Sequence, residues 1–349
     1  MVPSDNWSSI RTADATTAFT PEAQDNLTRF YQTQMKKLAA FAAAGKPSLA
    51  RAIESALLPS LGEKDRKLLL HEFRAFIEDD YAADADEIDF GYWKKFPAEA
   101  GQDQLLPGGY DRLVARLARG LDVLVNRRVD TIVATERGVT VRAGTDSWDA
   151  DHVLVTVPVG VLKAATIRFD PPLPSWKTDA ISRIGFGSFE KLFVIAKKPV
   201  WGREDSWLDV ADDDPITPTT LFNLAKYAPA TKAVIALGSG SYARRWRDLG
   251  TDKLRDHVAR ALRLFSREAV EVEEAFATDW QNDPFSRGAY SFPSVHEHDD
   301  DRESLRKPIS EGRVFFAGEA TDYEEMGSVH AAFGSGIRAA GEILAARAR

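Results

Sequence analysis

Several groups of residues in this chain could do chemistry: a lysine inside an apolar strand, two glycine-rich turns, a histidine pair among acids, and a set of aromatics. In Ser188-Phe189-Glu190-Lys191-Leu192-Phe193-Val194-Ile195, strand alternation puts Lys191 on one face with Phe189 and Phe193. Leu192 and Val194 take the other face, so the strand is expected to be covered on both sides. A lysine there snorkels out, finds a partner, or has its pKa lowered by desolvation. Snorkelling is the commoner outcome, and a perturbed lysine only marks a candidate site.

Two segments carry the spacing of a dinucleotide-binding turn. Val234-Ile235-Ala236-Leu237 leads into Gly238-Ser239-Gly240-Ser241-Tyr242-Ala243, and Gly334-Ser335-Gly336-Ile337-Arg338-Ala339 repeats the pattern inside a helix. Such a turn needs a preceding parallel strand and an acid about 20 residues on. The first is followed by Arg244-Arg245-Trp246-Arg247 and the second follows no strand, so neither is expected to hold a pyrophosphate. His296-Glu297-His298 before the acids 299–301 is read as a solvated patch and not as a metal site. Trp280, Phe285 and Tyr290 bracket Asp283-Pro284 and Arg287-Gly288; core packing is the commoner use of such aromatics. At the C-terminus, the strand Arg313-Val314-Phe315-Phe316-Ala317 precedes Gly318-Glu319-Ala320-Thr321 and a helix from about residue 329. The free N–H groups of that helix end favour negative charge, and Gly334 and Gly336 are expected to let the helix approach another surface closely.

These groups need elements to position them. A chain of 349 residues is long enough for two domains at roughly 150 residues each. With 44% hydrophobic and 28% charged residues it is an ordinary globular composition. A net charge of -8 argues against nucleic acid as a partner and suits a cationic substrate. The absence of cysteine excludes disulfides, thiol catalysis and zinc-thiolate sites. No signal peptide or membrane-spanning run is read, which points to a cytoplasmic protein with no membrane partner.

Residues 1–19 read as a frayed start. A helix begins at Thr20-Pro21, with threonine as N-cap, and the apolar periodicity of Leu27, Tyr31, Leu38 and Phe41 runs to Gly45 and Pro47. Ile53, Leu57 and Leu58 mark a second helix, and Leu69, Phe73, Phe76 and Ile77 a third. After Leu106-Pro107-Gly108-Gly109, a helix through Leu113 and Leu117 leads to strands at 121–125, 129–135, 139–143 and 152–157. The last three read as an antiparallel meander, with turns at Arg137-Gly138 and 144–147. Further strands are expected at 188–196, 219–224, 232–238 and 271–279, with an amphipathic helix over 252–265.

Taken in order, seven segments resemble the flavin-containing amine oxidases, the family of polyamine oxidases, monoamine oxidases and histone-lysine demethylases. They are Tyr81-Ala82-Ala83-Asp84-Ala85, Leu106-Pro107-Gly108-Gly109, Ala150-Asp151-His152-Val153-Leu154-Val155-Thr156-Val157-Pro158, Phe169-Asp170-Pro171-Pro172-Leu173-Pro174, Ile184-Gly185-Phe186-Gly187 leading to Lys191, Trp280 to Tyr290, and Phe316-Ala317-Gly318-Glu319-Ala320-Thr321. The resemblance implies an α/β (α+β) fold: a partial FAD-binding Rossmann-like domain plus a substrate domain with a mixed sheet and a helical block. It places the helical part of the substrate domain at 20–104 and a FAD-domain part with the meander at 105–172. The substrate-domain sheet and helix then fall at 173–293, and the last FAD-domain strand and helix at 294–349.

The resemblance also implies roles. Lys191 matches the lysine that holds a water against flavin N5. Val129 and the Val157-Pro158 turn match the segment beside the adenine, Gly318-Glu319 the ribityl–phosphate region, and the Val329 backbone N–H the flavin pyrimidine edge. Trp280 and Tyr290 match aromatics lining the substrate side of the flavin, near Phe285. Ser328 stands where a second aromatic wall, often tyrosine, would be, so the two-sided cage is incomplete. Family members open with a strand, a G-x-G-x-x-G turn, a helix and a ribose-binding acid. None of these precedes Tyr81, so the chain is expected to begin inside the family sequence, to purify without yellow colour, and to need a second chain or fused segment for its pyrophosphate cradle.

The implied activity is FAD-dependent oxidation of an amine, with oxygen as the second substrate. A polyamine is the first choice, given the acidic balance and Glu324-Glu325 near the expected flavin edge. Two other readings stay open: a non-catalytic or partner-dependent fragment, and a flavin enzyme acting on an amino acid or a carbon–carbon bond.

Overall fold

The computed structural model describes residues 2–3, 8–12, 21–95, 104–199, 201–202, 205–211, 214, 216–266 and 268–347. Helical spacing of apolar residues builds the first block. Proline opens the helix Pro21–Ala40, where its missing N–H costs nothing because the first turn leaves N–H groups unpaired. The Thr20 cap expected from the sequence lies outside the described residues. Ser48 caps Leu49–Ala56 by accepting from Arg51 N. Leu38, Leu49, Ile53, Leu57, Leu69 and Phe73 bury together as the core of this block.

The helix Glu63–Phe73 runs into a π-turn, Arg74–Glu78, and a last turn, Asp79–Tyr81, that ends at Ala82 with φ 54°. A π-turn inserts a residue and rotates the adjoining helical residues off the apolar stripe. That is why Phe76, expected with Leu69 and Phe73, points outward. Glu72 is buried, and burial raises its carboxyl to about 7. A carboxyl raised on folding stabilises the native state below its unfolded pKa, and that contribution is lost as pH rises through about 7. Glu72→Gln is therefore expected to be more stable than the wild type at pH 8 by on the order of 1–2 kcal/mol. The two denaturation curves should converge near pH 5; a constant difference across that range would refute the assignment.

The largest sheet has six strands in the order Val272–Ala277, Phe189–Ala196, Ala233–Ser239, Thr220–Phe222, Trp207–Ala211 and Ser8–Thr12. Its pairings are antiparallel except the last, which is parallel. Ser8–Thr12 corrects the reading of 1–19 as frayed: the unpaired edge of Trp207–Ala211 supplies the backbone partners that order it. Leu192, Val194, Leu208, Leu221 and Ala236 face one way and pack against Trp246, Leu254, Val258 and Leu262, which lie on the helices Gly240–Leu249 and Thr251–Leu262. The opposite face carries Phe189, Lys191 and Phe193 and is half-open, with Lys191 itself exposed. The expectation of a strand covered on both sides is thereby corrected. Two helices cover one face, and the helical block meets the neighbouring strand through the turn Asp79–Tyr81.

The meander also differs from its expected form. Thr131–Thr135, Gly138–Ala143 and Asp146–Ala150 are its three antiparallel strands, and Arg168–Asp170 pairs parallel with the first. Gly144, at φ 62°, closes the turn at once, so 146–150 is strand and not loop. Val153–Val155 leaves the meander and pairs parallel with Val314–Phe316. Residues 121–125, expected as a strand, have no strand structure, and Leu121 is 68% exposed. A strand is stable only beside another backbone, and among the described residues none lies alongside. No described helix is long and apolar enough to cross a membrane.

Candidate functional site

The first glycine turn is a strand followed by a helix, yet it is not a phosphate cradle. Its strand, Ala233–Ser239, pairs only antiparallel. Gly240 has φ 50°, and an added Cβ would lie 2.5 Å from Asp84 Oδ1. Asp84 already accepts from Ser241 N at 2.9 Å and from Arg244 at 2.8 Å. A carboxylate of the chain thus occupies the helix end where an anion would sit. The second turn lies inside the helix Val329–Arg347. No atom comes within 4 Å of a Cβ built on Gly334 or Gly336, so the close approach expected of that helix is absent among the described residues.

The residues expected at the ribityl and adenine side do come together. A cavity of about 200 Å³ is lined by Val157, Pro158, Phe186, Ala289, Gly318 and Glu319 among others. Val129 lies outside that lining and packs with Val153 and Val157 on the meander core. Gly318 has φ 141°, a conformation open to glycine, and faces free space. Its N–H donates to Ser335 Oγ of the C-terminal helix at 2.9 Å. A larger cavity of about 560 Å³, between Val161 and Ile181, contains none of the expected site residues.

Glu319, which lines this cavity, ties the strand Ser291–Phe292 to the turn before the C-terminal helix. Its carboxylate accepts from Ser291 N at 3.1 Å, Ser291 Oγ at 2.6 Å and Gly327 N at 2.7 Å. Both oxygens are therefore engaged by the chain itself, and the residue fixes the turn before the C-terminal helix. Ser328 caps that helix: its Oγ accepts from Ala331 N at 3.0 Å and donates to Glu325 O at 2.6 Å. The cap leaves the Val329 N–H without a partner inside its own helix. Glu324 and Glu325 are exposed, and Glu325 lies 3.4 Å from His330.

Tyr290, next to Ser291, crosses to the residues expected on the substrate side. Its ring lies 6.2 Å from that of Phe189 and its hydroxyl donates to Asp79 O at 2.7 Å. A Cβ on Gly327 would lie 3.3 Å from its ring. Lys191 Nζ is 5.8 Å from the Phe189 ring centroid. Although the side chain reaches solvent, surrounding protein still desolvates the ammonium and lowers its pKa. Lys191 N donates to Thr278 Oγ1 at 2.8 Å, two residues before Trp280, which is half-exposed. Phe285 is 63% exposed and makes no ring contact with Trp280 or Tyr290. So Lys191, Tyr290 and the Gly327–Val329 turn are linked through Phe189, Trp280 joins them through Thr278, and Phe285 projects outward from the loop that Ser286 and Gly288 tie to the Trp280 carbonyl.

Two residues escaped sequence reading. Glu190 is buried behind Lys191 and accepts from Thr278 Oγ1 at 2.6 Å and Gln281 N at 3.3 Å, anchoring the loop that carries Trp280. Arg302 is 1% exposed and donates to Glu297, Ser291 Oγ, Phe292 O and Ala320 O. Glu297 is buried with it, which corrects the reading of 296–301 as wholly solvated. His298, Asp300 and Asp301 offer ligand atoms within 4.8 Å of one another. Asp301, however, accepts from Arg183 Nε and Nη2, at 2.9 and 2.6 Å. No spacing rule flags an arginine that reaches back five residues across a loop.

The family model for flavin-containing amine oxidoreductases matches residues 14–344. The chain belongs to the flavin-containing amine oxidoreductases. Within this family it is 33% identical over 290 residues to Lysine-specific histone demethylase 1 homolog 1 of Arabidopsis thaliana, covering 81% of this chain and 34% of that protein. It is 35% identical over 264 residues to Polyamine oxidase 4 of Oryza sativa subsp. japonica, covering 75% and 53%. The chain thus spans about a third to a half of the length of these curated relatives. Among solved structures, cyclohexylamine oxidase from Brevibacterium oxydans superposes with TM-score 0.75 at 20% identity, covering 100% of this chain and 82% of that one. A redesigned putrescine oxidase gives 0.76 at 18% identity, covering 99% and 82%. These two likenesses establish the α/β amine oxidase fold. The family cofactor is FAD, and the described residues fit one part of it. The open Gly318, its cavity and the capped helix end suit the flavin side, whereas the glycine turn that could cradle phosphates is closed by Asp84.

Proposed function

We propose that this flavin-containing amine oxidoreductase oxidises a small aliphatic amine, with a diamine or polyamine as first choice. The observation that carries the reading is the meeting of Lys191, Tyr290 and the Gly327–Val329 turn, with Glu319 tying that turn to Ser291. When bound, FAD supplies the acceptor for the hydride leaving the carbon next to the amine nitrogen. The imine so formed takes up water to give aldehyde and the released amine, and oxygen carries the electrons away as hydrogen peroxide.

The residues divide this work. Lys191, with its pKa lowered by desolvation, holds or moves a proton on the N5 side. Trp280 and Tyr290 exclude water and orient the neutral amine. Gly318 leaves room for the cofactor chain, and the Val329 N–H is offered to the flavin edge. Val157 and Pro158 lie toward the adenine side. A matching family and a relative whose name is polyamine oxidase support this reading.

The test is anaerobic mixing of the FAD-loaded protein with putrescine, spermidine and a histone-tail peptide, with and without the family's nucleotide-binding segment supplied as a second chain. Bleaching of the flavin band by an aliphatic amine, followed by peroxide on admitting oxygen, is the expected result. Full occupancy by FAD with no bleaching by any amine would refute it.

A further inference from the structure

The cavity of about 560 Å³ between the helices Val159–Lys163 and Ser175–Arg183 has no part in the chemistry proposed above. Its volume falls in the range of roughly 300–1,000 Å³ that small-molecule sites occupy. Leu162 is the one residue that lines both this cavity and the smaller one on the flavin side. The two are therefore separate spaces with a single side chain between them. Val161, Ile167 and Ile181 form a buried aliphatic floor. A pocket with such walls holds water poorly and gains by taking up an apolar chain.

The polar side chains of the lining are Lys163, Thr178 and Ser182, all exposed at the rim. Both hydroxyls already donate within their own helix, Thr178 to Ser175 O at 2.9 Å and Ser182 to Asp179 O at 2.7 Å. Lys163 Nζ donates to Ser182 O at 2.7 Å and so ties the two helices together beside the cavity. An ammonium carries three N–H donors, so the rim keeps unused donors at this one atom. No carboxylate lines the cavity, and among the described residues no ion pair reaches Lys163. Desolvation lowers its pKa, opposed by the charge of Glu297, which is itself engaged by Arg302. An anion arriving at the rim would supply the missing compensation.

We propose that this cavity is a second binding site, for an aliphatic carboxylate of medium chain length, whose chain covers the apolar floor and whose carboxylate pairs with Lys163. A primary amine would meet the Lys163 charge instead, so the site is not another place for the amine substrate. The proposal stands apart from the amine-oxidising reading.

Calorimetric titration of the intact chain with octanoate, decanoate and octan-1-ol tests it without turnover. Decanoate should bind roughly tenfold more tightly than octanoate, since each buried CH₂ contributes about fourfold. Octanoate should bind about tenfold or more tightly than octan-1-ol, the scale of a hydrogen bond to a charged group. In Lys163→Met that preference should fall below about threefold, with octan-1-ol little changed. Thr178→Trp should block the mouth and weaken all three ligands by about tenfold or more. Both positions are exposed, and circular dichroism checks that each variant folds; should Lys163→Met fail, Thr178→Trp carries the test alone. Equal binding of octanoate and octan-1-ol by the wild type would overturn the site. So would an intact preference in folded Lys163→Met, or unchanged binding by Thr178→Trp.

Discussion

Lys191→Met is expected to slow one flavin half-reaction by about a hundredfold or more, the range in which a positioned proton-transfer group acts. Methionine keeps the length and apolar stem, so the strand and its pairing with Ala233–Ser239 should be preserved. The change removes the ammonium, whose pKa is lowered by desolvation. In the wild type, the rate should therefore track a group titrating below the ordinary lysine range, and the variant should lose that limb of the pH profile. Stopped-flow traces of reduction by amine under anaerobiosis, and of reoxidation by oxygen, separate the two steps. Unchanged rates in both would remove Lys191 from the mechanism and return it to a snorkelling surface lysine.

The largest effect on stability is expected from Arg302→Met. Arg302 and Glu297 form a buried ion pair, and the guanidinium also serves Ser291 Oγ and the carbonyls of Phe292 and Ala320. Removing one partner strands the other charge in the interior, which costs roughly 3–5 kcal/mol. Burial raises the Glu297 carboxyl, opposed by the Arg302 charge. Without that charge the carboxyl should rise further, so the variant should regain stability more steeply than the wild type as pH falls. Urea denaturation between pH 5 and 8 measures this. The double variant with Glu297→Gln should lose less than the sum of the single losses, because the two residues act as one unit. Additive losses would show that the pair is not coupled. Because Ser291 also donates to Glu319, which holds Gly327, loosening at Arg302 should reach the turn before the C-terminal helix.

Much of the fold was legible because local patterns agreed with it. The apolar periodicity of Leu38, Ile53, Leu69 and Phe73 marked helices whose buried faces do form one core. Alternation around Lys191 placed it on one face with Phe189 and Phe193, as the register bears out. Gly238-Ser239-Gly240 is set aside as a phosphate turn because the basic run 244–247 follows it with no well-placed acid beyond, and the structure adds that its strand pairs only antiparallel. Strand membership was less legible. Residues 121–125 have the composition of a strand and no partner, while Ser8–Thr12 reads as a polar tail and finds one. Pairing is decided by which backbone lies alongside, and no local window contains that information.

By itself, the sequence determined which family this chain belongs to, which residues alternate onto which faces, and that a lysine would stand on the strand Phe189–Ala196. Those are matters of residue order and of periods of two and 3.6, which are written locally. Only the tertiary structure decided that the face bearing Lys191 is open, that Asp84 fills the helix end at Gly240, and that Arg302 lies at the centre of a buried network. Only the tertiary structure, too, brought Asp79 against Ser239 and Tyr290. The reason is the same in each case: burial and charge compensation depend on what arrives from distant parts of the chain, and a side chain's neighbours in space set its ionisation and its role.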